Sequence, residues 1–180
     1  ALLMAMAKAS VLITGEEKTR PAQLLASLHK VIFRIKSSKI KRMMTCQYFC
    51  IDSLTGDYLF SNAGHCFPAL IKARGTDVTL IQSIGSPLGI TKRARYEDLA
   101  QKMASGDTLL LYTDGIIEAQ NADGIEMGFE RFTEMLKREY SENLETYYQR
   151  IFAAYLAWSP KADDDITLVL IRFGHLEQQA

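Results

Sequence analysis

The sequence has three cysteines, four prolines and one tryptophan in 180 residues, and no excess of either charge sign. Each shortage excludes something. Cys46, Cys50 and Cys66 are too few for a disulfide scaffold, and an odd count without a signal peptide fits a reducing, cytoplasmic setting. They form no Cys-x-x-Cys pair, there is no His-x-x-x-His zinc spacing, and no cysteine has the flanking Arg of a phosphate-binding thiolate loop. A Gly-x-Ser-x-Gly elbow and a Ser-His-Asp order are also missing. Lys plus Arg is 21 and Asp plus Glu is 21, so the net charge is zero. That balance argues against binding nucleic acid through bulk charge and against an acidic disordered tail. Residues 1–13 are mostly apolar, but Lys8 interrupts them, they are too short to span a bilayer, and they lack a signal peptide's charged start. No repeat, low-complexity tract or Pro/Gly/Ser linker divides the chain.

What is present is an ordinary globular composition, 48% apolar and 23% charged, with eight Tyr and eight Phe to fill a core. The length suits one domain, which buries roughly 70% of its unfolded surface. Residues 1–13 read as a helix. Thr19 and Pro21 give a start signal for a second, in which Leu24, Leu25, Leu28, Val31, Ile32 and Ile35 place an apolar stripe over 21–36. Lys36 to Arg42 is a basic loop that suits a solvated face or a phosphorylated partner.

Strand patterns follow. Residues 43–51 read as a strand buried on both faces, turning at Leu54-Thr55-Gly56-Asp57 into a return over 57–63. A second hairpin pairs 68–73 with 77–82 around Arg74-Gly75, and short strands near 95–101 and 107–113 are joined at Ser105-Gly106. Helices are expected at 128–138 and again after Ser141, a plausible cap. Residues 166–173 are apolar on both faces, which predicts a central strand. Antiparallel runs between helical blocks give an α+β layered fold.

Two motifs could carry chemistry. Leu109-Leu110-Leu111-Tyr112-Thr113-Asp114-Gly115 ends a hydrophobic strand in an Asp on a tight turn, which suits either a plain turn or a hard cation. Asp163-Asp164-Asp165 precede the last strand, as a solvated loop or as carboxylates gathered by a cation. If the two strands are neighbours, Asp114 and Asp164 converge, and paired carboxylates around hard cations activate water against a phosphate ester. Glu118 shares a face with Asp114 if the chain turns helical there; otherwise it is a surface acid. His65, in Ser61-Asn62-Ala63-Gly64-His65, reads as a structural histidine before it reads as a catalyst, and Cys46 and Cys50 fall on one face of a strand as core residues.

In order, Ala1-Leu2-Leu3-Met4-Ala5-Met6, Asn62-Ala63-Gly64-His65, Gly85-Ser86-Pro87-Leu88-Gly89-Ile90, the segment from Gly106-Asp107 through Thr113-Asp114-Gly115 to Glu118-Ala119, and Asp164-Asp165-Ile166-Thr167 form a set. This set resembles the SpoIIE/RsbU-type branch of the metal-dependent PPM (type 2C) serine/threonine protein phosphatases, over nearly the whole chain. The resemblance implies an α-β-β-α sandwich of two antiparallel sheets flanked by helices. It also implies two Mn²⁺ or Mg²⁺ ions and direct hydrolysis of phosphoserine or phosphothreonine in a protein. Asp114 and Asp164 match the family's metal-ligating aspartates. Gly115 and Asp165 are their neighbours in the candidate metal set, and Glu118 falls where relatives carry an acid near a further metal. Asn62 and His65 match a signature with no assigned chemical role. A phosphorylated anti-sigma-factor antagonist is the implied substrate, within partner-switching control of a sigma factor. An upstream sensor or dimerising domain is the implied regulator, with a homodimer possible and neither nucleic acid nor membrane engaged by this segment. Relatives carry an Asp-x-Ser-Gly-His-Gly-type segment before the Ala-Leu-Leu-Met helix. The expectation is therefore one domain over 1–180 that lacks its first strands and one metal ligand. The competing expectation is a degenerate regulatory module that keeps the fold to bind a partner.

Overall fold

The computed structural model describes residues 2–14, 20–35, 43–160 and 164–174. Thr19, the basic loop 36–42 and Asp163 lie outside the described residues. The chain forms two compact units, one from residues 1–65 and 83–102, the other from 66–82 and 103–180.

In the first unit, helix α1 (Leu2–Thr14) packs on helix α2 (Pro21–Ile35), and α2 lies on strands β1 (Cys46–Ile51) and β2 (Asp57–Ala63). Pro21 is the first helical residue, where its missing N–H costs nothing. The end of α2 is capped from afar: Asp98 Oδ1 accepts from Ala22 N at 2.7 Å, and Oδ2 accepts from Arg20 Nε at 2.8 Å. Leu24, Leu25, Leu28 and Ile32 form the buried stripe, packed with Ala7, Ala63 and Leu88. β1 pairs antiparallel with β2, and β2 with β5 (Leu99–Lys102), in the order β1-β2-β5. The turn expected at 54–57 is present. Asp52 Oδ1 accepts from Leu54 N and Thr55 N, and Gly56 takes φ +76°. β1 is not buried on both faces: it is the outer strand of this sheet and half-buried throughout. Cys46 and Cys50, on the same face, are both half-buried, and Cys46 packs against the core.

In the second unit the order is β4-β3-β6-β7, all antiparallel, from β3 (Ala69–Ile71), β4 (Val78–Leu80), β6 (Thr108–Tyr112) and β7 (Leu168–Arg172). Helices α3 (Gly128–Arg138) and α4 (Leu144–Trp158) cover it. Phe132, Met135 and Leu136 of α3 and Tyr147, Ile151 and Tyr155 of α4 bury their stripes against Ile71, Leu110 and Tyr112. Each such side chain contributes about 1.5–3 kcal/mol by leaving water. Tyr147 Oη donates to Leu136 O at 2.8 Å and ties the two helices. The cap of α4 is Asn143, whose side chain accepts from Thr146 N at 2.8 Å, and not Ser141. β7 is an outer strand, not a central one, with Val169 44% exposed. β5 and β6 follow each other in sequence but belong to different sheets, so they form no hairpin.

Each unit lays helices on one antiparallel sheet, so the expected class is observed: α+β, two antiparallel sheets with flanking helices. No helix among the described residues is long and apolar enough to cross a membrane.

Candidate metal centre

The apolar run of β6 ends at Tyr112, and its register against β7 sets Tyr112 opposite Leu168. The pairing continues past the strands: Thr113 N donates to Thr167 O at 3.2 Å. Asp114 therefore leaves β6 beside the segment 164–167 that leads into β7, although fifty positions separate Asp114 from Asp164. From Asp114 the chain turns helically. Ile117 N and Glu118 N both donate to Asp114 O, at 2.8 and 3.0 Å, so Glu118 does sit one turn beyond Asp114.

The turn and the acidic segment are in close contact. A Cβ on the buried Gly115 would stand 3.1 Å from Asp165 O and 3.4 Å from Asp164 Cβ. That is tighter than a side chain tolerates without movement, so glycine is what lets the two segments approach. Asp165 N donates to Asp164 Oδ1 at 2.7 Å, which fixes one carboxylate oxygen. Thr113 Oγ1 donates to Asp165 O at 3.1 Å and accepts from Thr167 N at 3.0 Å.

Gly115, Glu118 and Asp164 line a polar cavity of about 330 Å³, together with Tyr155 and Ser159. Asp114 lies exposed on the adjoining turn and is not part of that lining; Asp165 enters the site through its backbone. Cys66 is close enough to feel both acids. Burial first, then the negative charges of Asp114 and Glu118, pushes its thiol up to about 11.

The donors suit a hard divalent cation in kind, since carboxylate oxygens on a rigid turn are what Mg²⁺ or Mn²⁺ prefers. The cradle at Gly115, which a Cβ would fill, holds Asp164 and Asp165 against the turn. In number they are a partial set: among the described residues, no three His, Cys, Asp or Glu side chains assemble into a metal-holding group. The sequence pattern assigns no role at the site to Thr113, Cys66, Tyr155 or Ser159. For Thr113 and Cys66 the cue was adjacency to a motif; Tyr155 and Ser159 reach the cavity through the packing of α4, which no local pattern encodes.

The other signature residues do structural work in the first unit. The buried amide of Asn62 donates to His65 O at 2.9 Å and Ser83 O at 3.0 Å, and accepts from His65 N at 2.8 Å. Gly64 has φ +72°, and a Cβ there would collide with Pro87. A Cβ on Gly85 would come within 1.9 Å of Asn62 O. Asn62-Ala63-Gly64-His65 and Gly85-Ser86-Pro87 are thus two halves of one packed junction. His65 Nδ1 lies 3.1 Å from Thr45 Oγ1.

The family model for stage II sporulation protein E (SpoIIE) matches residues 1–174. The phosphoserine phosphatase RsbU of Bacillus subtilis is 22% identical over 175 residues, covering 96% of this chain and 51% of RsbU. The chain therefore spans about half the length of that relative. The SiaA-PP2C domain of Pseudomonas aeruginosa shares the fold with a TM-score of 0.81 at 22% identity, over 96% of this chain and 70% of that one. The SpoIIE phosphatase domain of Bacillus subtilis, from Mn-presoaked crystals, gives 0.64 at 14% identity, over 99% and 76%. The two-sheet architecture and the family match agree, and the chain belongs to the SpoIIE family, in the SpoIIE/RsbU-type branch of the PPM phosphatases.

Proposed function

We propose that this chain is the catalytic domain of a Mn²⁺- or Mg²⁺-dependent phosphatase that hydrolyses phosphoserine or phosphothreonine in a protein. The observation that carries the reading is the β6–β7 pairing, which sets the Asp114 turn beside Asp164 at one end of a rigid sheet. Asp114 and Asp164 would hold the metal, with Glu118 adding charge at the cavity rim. What a divalent ion supplies in such a place is Lewis acidity toward a phosphoryl oxygen and a lowered pKa for water.

The chain's own residues account for the rest. Gly115 lets the turn approach the acidic segment, and the Asp165 amide orients the Asp164 carboxylate. Direct in-line attack by water on the phosphoryl group, with no covalent enzyme intermediate, is the step that the family placement supports. The metals named for the site agree with the Mn-presoaked crystals of the SpoIIE phosphatase domain. The likeness to RsbU supports a phosphorylated protein as substrate; within this reading it is an anti-sigma-factor antagonist in the cytoplasm, under control of an upstream sensor or dimerising domain.

The test uses the full-length protein with a phosphoserine protein and Mn²⁺, read as phosphate release. Metal-dependent turnover is expected, and Asp114→Asn should lower it by about 100-fold or more while the melting temperature barely moves. No Mn²⁺-dependent turnover in the wild type would overturn the reading and leave the non-catalytic partner-binding module. Unchanged turnover in Asp114→Asn would remove Asp114 from the site.

A further inference from the structure

The side chain of Thr113 spans the two segments that carry the candidate ligands. Its hydroxyl uses both of its capacities across the junction, donating to Asp165 O at 3.1 Å and accepting from Thr167 N at 3.0 Å. Its backbone N–H adds the bond to Thr167 O. Asp165 O accepts from this hydroxyl and lies where a Cβ on Gly115 would crowd it. Asp114 is the next residue after Thr113, and Asp164 is the one before Asp165. A shift of the 164–167 segment along β6 would therefore change the separation of the two carboxylates. Within this junction, backbone pairing alone fixes the register through one bond past the strand ends; the hydroxyl adds two more, beyond the point where the ladder stops.

Resting on the phosphatase reading, we propose that Thr113 is a positioning residue: its hydroxyl sets the spacing between Asp114 and Asp164 and so the affinity of the site for its divalent cation. Valine has nearly the same shape but can neither donate nor accept. In Thr113→Val the Asp165 carbonyl and the Thr167 amide lose their partner at the point where the carboxylates diverge. Serine keeps the hydroxyl and should keep the spacing. Groups that hold metal ligands in place are typically worth 10- to 100-fold in affinity.

The experiment measures Mn²⁺ binding to the full-length protein by titration calorimetry, beside the Mn²⁺ concentration for half-maximal phosphate release. Thr113→Val should weaken Mn²⁺ binding by about tenfold and raise the half-maximal concentration by a similar factor, with a smaller change in turnover at saturating metal. Thr113→Ser should stay within about threefold of wild type. If Thr113→Val does not fold, Thr113→Cys carries the same test, because a thiol of near-serine size is a weak donor and acceptor. A folded Val or Cys variant that binds Mn²⁺ as wild type does overturns the proposal while leaving the phosphatase reading intact. Equal loss in Thr113→Ser and Thr113→Val overturns it too, since shape and not the hydroxyl would then be responsible. A wild-type protein that binds no Mn²⁺ overturns both.

Discussion

Asn62 has a buried amide that satisfies three backbone groups on two loops, and its own carbonyl meets Gly85 so closely that no side chain fits there. Removing the amide leaves the carbonyls of His65 and Ser83 and the amide of His65 to find water in a partly buried place, at about 1–3 kcal/mol for each group left unmade. Asn62→Ala should therefore destabilise the protein by about 3 kcal/mol in urea denaturation. Asn62→Asp should be worse, because it turns a carboxylate oxygen toward two carbonyls. A loss below about 0.5 kcal/mol for Asn62→Ala would show that the junction does not depend on this amide. The link to Ser83 is not legible in the sequence, where Asn62 stands in a signature without a role, because that partner lies twenty-one positions away. Asp114 and Asp164 were legible for the opposite reason. Each lies one residue from an apolar run, and a rigid strand end delivers a side chain to a predictable place.

Among the elements, helix boundaries were read closely and strand environments were not. The stripe over 21–36 became Pro21–Ile35, and 128–138 became Gly128–Arg138. Helical spacing reports burial directly, since one face carries it. A strand that is apolar on both faces reports only that something covers it, not how many strands flank it. The pattern over 166–173 therefore predicts a central strand, whereas β7 lies at the edge of its sheet. Caps divide in the same way. Asp98 caps α2 from 76 positions away and could not be read locally. Asn143 caps α4 from the adjacent position, two residues after the serine that sequence pattern favoured. The hydrogen bond from Thr146 N to Asn143 decides between them, and Asn143→Ala should cost about 1 kcal/mol in chemical denaturation. Ser141→Ala should cost little, because Ser141 serves the fold through its backbone carbonyl, which accepts from Arg172 Nη2. A larger cost for Ser141→Ala than for Asn143→Ala would return the cap to Ser141.

At the scale of the whole molecule, net charge is zero at pH 7, yet the thiols and phenols that are buried or half-buried lean in one direction. Burial raises the thiols of Cys46 and Cys50 and the phenols of Tyr96, Tyr112 and Tyr147. Both compact units contain such groups. Tyr96 is the cleanest probe. It donates to Ser86 O at 3.0 Å, and burial, followed by the charge of Cys46, pushes it up to about 12 from an ordinary value near 10. Between those values the folded state holds a proton that the unfolded chain has released. Its contribution is therefore complete below about pH 10 and declines as pH rises through 12. The thiols begin the same loss near pH 9. Stability from urea denaturation should thus fall steadily above pH 9. Tyr96→Phe should flatten the slope between pH 10 and 12 by up to one proton, with any cost at neutral pH coming from the lost contacts of its hydroxyl with Ser86 O and His29 Nδ1. An unchanged alkaline slope in Tyr96→Phe would show that this phenol titrates alike in both states and is not desolvated in the folded protein.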